Sequence, residues 1–160
     1  MRKHIRKSHN VTMLLYHLVF PVKYRKEIFV TPRIKEWLIR CCHEQVSNYE
    51  IYFDTIWVDW DHVHFLVQSV PTQSVTQIVT KIKSFTAKVL LWYKLELEWK
   101  LRWWEIRTDW YYANTVGAVA WYKTIQNYVV NQWYGRRWYL TINWWSNEWL
   151  KQMVLLGTGA

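Results

Sequence analysis

The stretch Ile51-Tyr52-Phe53-Asp54-Thr55-Ile56-Trp57-Val58-Asp59-Trp60-Asp61-His62-Val63-His64-Phe65-Leu66-Val67-Gln68-Ser69-Val70 decides the fold. β-Branched and aromatic residues dominate it, as expected of pleated, half-buried backbone. Residues 50–58 read as a strand with Ile51, Phe53, Thr55 and Trp57 on one face. Asp59-Trp60-Asp61 reads as a turn, and 62–70 as the next strand. Two consecutive strands with so short a connection make an antiparallel hairpin. Side chains alternate along a strand, so His62 and His64 share one face while Val63, Phe65 and Val67 share the other.

Working outward, residues 11–20 are apolar, partly alternating and closed by Pro21, which predicts an earlier strand. Thr31-Pro32 opens a helix with proline in its first turn, and Ile34, Trp37, Leu38 and Cys41 continue it at helical spacing to about residue 47. After Pro71, Ser74 is the expected cap of a long amphipathic helix carrying Val75, Ile78, Val79, Ile82, Phe85, Val89 and Leu90. Residues 106–115 read as a fourth strand, 118–133 as a further helix, and Trp145, Trp149, Met153 and Leu156 as one face of a last helix. The order β-α-β-β-α-β-α-α predicts an α+β fold of the ferredoxin-like or RRM-like split βαβ plan. Helices would cover one face of an antiparallel sheet. No linker, repeat or low-complexity tract divides the 160 residues, so one domain is expected, with a basic arm at 1–10 and a tail at 134–160.

The formal charge is +9, from 21 Lys and Arg against 12 Asp and Glu. Such a surplus suits a polyanion, because each phosphate contact releases condensed counterions. Nucleic acid and an acidic membrane surface both meet that description, and solubility alone is the plain alternative. Cys41 and Cys42 are the only cysteines. Neighbouring cysteines are poorly placed to bridge each other, which fits a reducing cytoplasm. Cys41-Cys42-His43 lacks the second ligand pair of a zinc site. No secretion signal and no membrane-spanning run is read. Trp is abundant, at 14, and Gly scarce, at 4, well below average usage of about 7%.

Two imidazoles on one strand face are able to share a divalent metal, but two ligands alone do not define a site, and a pair of half-buried structural histidines has the same spacing. Tyr128 and Gln132 are four residues apart and stack on one face of the late helix. A phenol with an ordinary pKa of about 10 is a nucleophile only against a polarised target, such as a phosphate held by a metal. A core tyrosine is the plain alternative, in a chain with 11 of them.

Asp61-His62-Val63-His64-Phe65-Leu66-Val67 closely resembles the histidine-hydrophobe-histidine motif of the HUH single-tyrosine transposases of the insertion sequence 200/605 type. Tyr16-His17-Leu18-Val19-Phe20-Pro21-Val22-Lys23-Tyr24-Arg25 resembles that family's first strand and following turn. Ser74 to Thr86 resembles its long middle helix, Thr108 to Gly117 the segment before its catalytic helix, and Tyr128 to Gln132 the place of its nucleophile and metal-binding glutamine. The similarity spans about residues 5–135.

The resemblance implies that His62, His64 and Gln132 bind Mg²⁺ or Mn²⁺ and that Tyr128 attacks a phosphate of single-stranded DNA. It implies a 5′-phosphotyrosine link that a 3′-hydroxyl later reverses, recognition of DNA hairpins near element ends, and a homodimer joined through sheet edges. This chain departs from the family at Trp103-Trp104 and Trp110, where glycines are common, and in Ala118-Val119-Ala120-Trp121-Tyr122, where a polar loop is usual. Those departures bear on the loops around the tyrosine helix, not on the implied ligands or nucleophile. Candidate phosphate contacts are Arg2, Lys3, Arg6, Lys7, Lys81, Lys83, Arg136 and Arg137. The competing function is a non-catalytic or domesticated nucleic-acid-binding relative on an RRM-like sheet. RRM sheets carry aromatic signatures on central strands, where this chain has histidines. A rolling-circle nickase with the same histidine pair is a third reading.

Overall fold

The computed structural model describes residues 4–93 and 108–117. A short hairpin of β1 (Ile5–Lys7) and β2 (Asn10–Thr12) occupies part of the basic arm, and Lys7 pairs with Glu50. Then follow β3 (Leu14–Pro21), α1 (Pro32–Glu44), α2 (Val46–Tyr49), β4 (Ile51–Val58), β5 (His62–Ser69), α3 (Val75–Tyr93) and β6 (Tyr112–Thr115). The late helix expected at 118–133, the tail helix and the first part of the expected fourth strand lie outside the described residues.

The four longer-range strands form one antiparallel sheet in the order β4-β5-β3-β6. The α+β split βαβ plan read from the periodicities is the one observed. β5 lies between β3 and β4 and is buried along its whole length, so its polar residues His62, His64, Gln68 and Ser69 are buried together with its apolar ones. Leu18, Phe53, Ile56, Val58, Val63, Phe65 and Val67 project from one face into the layer formed by Ile34, Leu38 and Ile39 of α1 and Ile78, Val79, Ile82 and Phe85 of α3. Each fully buried side chain of this kind contributes about 1.5–3 kcal/mol of transfer free energy.

Ser74 caps α3 as expected. Its Oγ accepts from the amide of Gln77 at 3.2 Å, and the Gln77 side chain accepts from the Ser74 amide at 2.9 Å, a reciprocal capping box. Proline stands in the first turn of α1, following Thr31. That first helix ends at Glu44 rather than near residue 47, and the separate turn of α2 closes on Glu50 in the left-handed region, φ 53°.

Two face assignments are corrected. Ile51 and Phe53 do share a face, but Thr55 and Trp57 turn to the opposite one. A register shift between Phe53 and Thr55 inserts one extra residue against β5, so Ile56 and Val58 continue the core face instead. In α1 the buried stripe is Ile34, Lys35, Leu38, Ile39 and Cys42, while Trp37 is 44% exposed with its ring beside Arg40. The large indole lies outside the stripe that meets the sheet.

Candidate metal centre

The sheet face opposite the helices carries the polar chemistry. Register sets it: β5 places His64 across from Val19 of β3 and Trp57 of β4, and His62 across from Pro21. His17 of β3 pairs with Leu66, one step along the same face, and is therefore the diagonal neighbour of His64. Leu15, Trp57, Leu66 and Val116 form a small apolar cluster beside them. The three histidines are each less than a tenth exposed.

Their contacts are specific. Nε2 of His17 lies 3.0 Å from Nδ1 of His64. The His62 and His64 rings meet edge to face with centroids 4.9 Å apart. Nδ1 of His62 lies 2.6 Å from Oδ1 of Asp61 and 3.5 Å from Oδ2 of Asp59. Oδ2 of Asp61 is in turn 2.7 Å from Nε of Arg25. The hairpin turn is tied down by its own backbone, with the Asp59 amide donating to the His62 carbonyl at 2.9 Å. The Val22 amide donates to the Asp61 carbonyl at 2.7 Å, joining the end of β3 to the same turn. Tyr24 and Arg25, which aim the guanidinium at Asp61, both have positive φ, 59° and 54°. This is a costly backbone for residues with a Cβ, held here by the surrounding contacts.

Burial pushes the His64 imidazole down to about 3, with the neighbouring His62 and His17 acting in the same direction, and burial also lowers His17. Both are therefore neutral near pH 7, the form that coordinates metal. Nε2 of His64 is buried and has no hydrogen-bond partner among the described residues. A buried imidazole nitrogen left without a partner is costly unless a ligand satisfies it. A carboxylate on Nδ1 of the adjacent histidine is the arrangement that orients metal-ligating imidazoles. The donor set thus fits a divalent cation. Asp59, Asp61 and His62 also bring one ligand atom each within 4.8 Å of one another. Asp61, however, already spends one oxygen on His62 and the other on Arg25, so it serves better as the support of His62 than as a ligand.

The other residues singled out in the sequence are dispersed. Tyr128, Gln132, Arg2, Lys3, Arg136 and Arg137 lie outside the described residues. Arg6 and Lys7 are exposed on the small hairpin. Lys81 and Lys83 stand on α3, across the sheet from the histidines. Lys81 donates to Gln73 at 2.9 Å, and Lys83 to the carbonyls of Thr108 at 2.7 Å and Trp110 at 3.2 Å. Sequence reasoning had no role for His17 or Arg25. Their signal was present only as position: His17 stands in the middle of a predicted strand, and Arg25 just beyond the proline that ends it.

The result is a four-stranded split βαβ sheet with paired histidines on one of its two inner strands. The family model described as "Transposase IS200 like" matches residues 10–132, and the chain belongs to that family. Among solved structures, the fold is similar to that of a candidate transposase from Deinococcus radiodurans R1, at TM-score 0.61 and 22% identity over 80% of this chain and 97% of that one. It is also similar to a REP-associated tyrosine transposase bound to a REP hairpin, at TM-score 0.55 and 10% identity over 86% of this chain and 76% of that one. No curated protein matches the sequence. Among the described residues, no helix is long and apolar enough to cross a membrane.

Proposed function

We propose that this transposase is a metal-dependent enzyme of single-stranded DNA that cuts and rejoins strands through Tyr128. The observation that carries the reading is the buried His62 and His64 pair, with Nε2 of His64 lacking a protein partner, in a chain of the IS200-like family. His62, His64 and Gln132 would hold Mg²⁺ or Mn²⁺, which would supply Lewis-acid polarisation of a DNA phosphate. The phenol of Tyr128 gives up its proton and bonds to phosphorus. The bond to the 3′ oxygen breaks, and that oxygen takes up a proton. The products are a 5′-phosphotyrosine and a 3′-hydroxyl. Because the link keeps the phosphodiester energy, a second 3′-hydroxyl reverses the step without ATP. Asp61 holds His62 in orientation, and the buried surroundings keep the His64 imidazole neutral.

The DNA partner carries hairpins at its ends, a reading supported by the hairpin bound to the similar REP-associated enzyme. The working form is a cytoplasmic homodimer joined through sheet edges, and β6 is one such edge. Phosphate contacts come from the basic residues Arg2, Lys3, Arg6, Lys7, Lys81, Arg136 and Arg137.

The test incubates the protein with single-stranded hairpin oligonucleotides and Mg²⁺ or Mn²⁺. A denaturant-resistant protein–DNA adduct is expected, lost in Tyr128→Phe and in His62→Ala. An adduct that survives Tyr128→Phe would identify another nucleophile. Binding across many hairpins without any cleavage would establish the non-catalytic alternative.

A further inference from the structure

The histidine pair of the motif has a third partner, and its geometry is more informative than its proximity. The planes of His17 and His64 are within 10° of parallel, and their centroids are 5.3 Å apart. The facing nitrogens are 3.0 Å apart. The centroid separation exceeds the nitrogen separation by just the two ring radii, so both nitrogens lie on the line joining the centroids. That line runs within each ring, and parallel planes sharing it are one plane. The rings therefore meet edge to edge rather than stacking face to face.

In that arrangement the in-plane lone pair of each nitrogen points at the other ring. Two nitrogens binding one cation would instead converge on a point between and beyond them. Head-on imidazoles suit a single proton shared as N–H···N. Of the two possible directions, only one leaves His64 able to act at the motif. With Nδ1 of His64 carrying the hydrogen and Nε2 of His17 accepting it, Nε2 of His64 keeps its lone pair. That nitrogen is the buried one with no hydrogen-bond partner among the described residues.

We propose that His17 is a positioning residue for the metal site: its Nε2 accepts the Nδ1–H of His64, fixing the tautomer and the ring plane that turn Nε2 of His64 toward the cation. The inference rests on the metal-site reading above. His17 does for His64 what Asp61 does for His62, with a neutral acceptor in place of a charged one. The choice of acceptor suits the location. His64 is more deeply set than His62, and a neutral imidazole avoids burying a second carboxylate there. β3 supplies this support because the antiparallel register places position 17 diagonally across from position 64.

The test has two arms. In the metal-free wild type, ¹⁵N NMR is expected to show Nδ1 of His64 protonated and a scalar coupling across the hydrogen bond to Nε2 of His17. A protonated Nε2 on His64, or no coupling to His17, would overturn the proposal without any mutation. In the second arm, Mn²⁺ affinity is measured by calorimetry on variants whose fold is checked by circular dichroism. His17→Phe keeps the ring volume but not the acceptor, and should weaken Mn²⁺ binding about 10–100-fold. His17→Gln places an amide oxygen near the position of Nε2 and should recover much of that loss. Equal affinity of His17→Phe and wild type would overturn the proposal, as would a His17→Gln no better than His17→Phe. Electron spin-echo spectra of bound Mn²⁺ should show the same number of coordinated nitrogens in wild type and His17→Gln. Loss of one would make His17 a ligand instead. Failure of the wild type to bind Mn²⁺ at all, with the His17–His64 coupling present, would sink the metal reading while leaving the hydrogen bond established.

Discussion

Asp61 holds His62 through a 2.6 Å contact between Oδ1 and Nδ1, and its remaining oxygen is 2.7 Å from Nε of Arg25. One carboxylate thus links the motif histidine to the turn that follows β3. The carboxylate orients the ring, as such partners do for metal-ligating imidazoles, and the guanidinium keeps the carboxylate from rotating away. Asp61→Ala is expected to lower Mn²⁺ affinity about 10–100-fold, by calorimetry, with the fold retained. Asp61→Asn keeps an acceptor oxygen and should fall between Asp61→Ala and the wild type. An unchanged dissociation constant in Asp61→Ala would show that His62 needs no such support.

The capping box at the start of α3 joins Ser74 and Gln77 in both directions. Removing the hydroxyl leaves the Gln77 amide without its acceptor. Ser74→Ala should destabilise the protein by about 1 kcal/mol in urea unfolding, while Ser74→Asp should retain nearly full stability. Equal midpoints for Ser74→Ala and the wild type would mean that solvent replaces the cap without loss.

Burial lowers the pKa of His43, near the end of α1, below its ordinary 6.5. The folded chain therefore binds fewer protons at this site than the unfolded chain does. Its contribution to stability is complete above about pH 6.5 and is lost as pH falls through the lower, folded-state value. His43→Gln removes the titration, so the stability difference between variant and wild type should shift in favour of the variant between about pH 7 and about pH 5. Parallel stability curves over that range would contradict the assignment.

Lys83 holds the segment leading into β6 by donating to the carbonyls of Thr108 and Trp110, with its ammonium also over the rings of Phe20 and Tyr111. Lys83→Met keeps the stem and removes the ammonium. Hydrogen exchange at the amides of Tyr112–Thr115 should accelerate, because the edge strand loses its tether to α3. Unchanged exchange together with a shallower salt dependence of single-stranded DNA binding would assign Lys83 to phosphate contact instead.

The chain's periodicities are local properties, and local reading recovered them. Alternation in 62–70, helical spacing after Ser74 and the proline at 32 placed a strand and two helices close to where they stand. The order of those elements was enough for the split βαβ plan, since few topologies satisfy short connections and a common core. The shared face of His62 and His64 also follows from the strand period alone.

Other features depended on strand pairing. The extra residue near Asp54 is invisible to a period-two pattern, because a bulge is defined against the partner strand; Thr55 and Trp57 consequently face the histidines and not the helices. His17 and Arg25 are far from the motif along the chain and reach it only through the β3–β5 register and the turn after β3. The sequence by itself determined which elements form, their order, and the two imidazoles on one strand face. Only the tertiary structure decided which nitrogen of His64 is engaged and by what, because hydrogen-bond partners across a sheet are set by register and burial rather than by proximity along the chain.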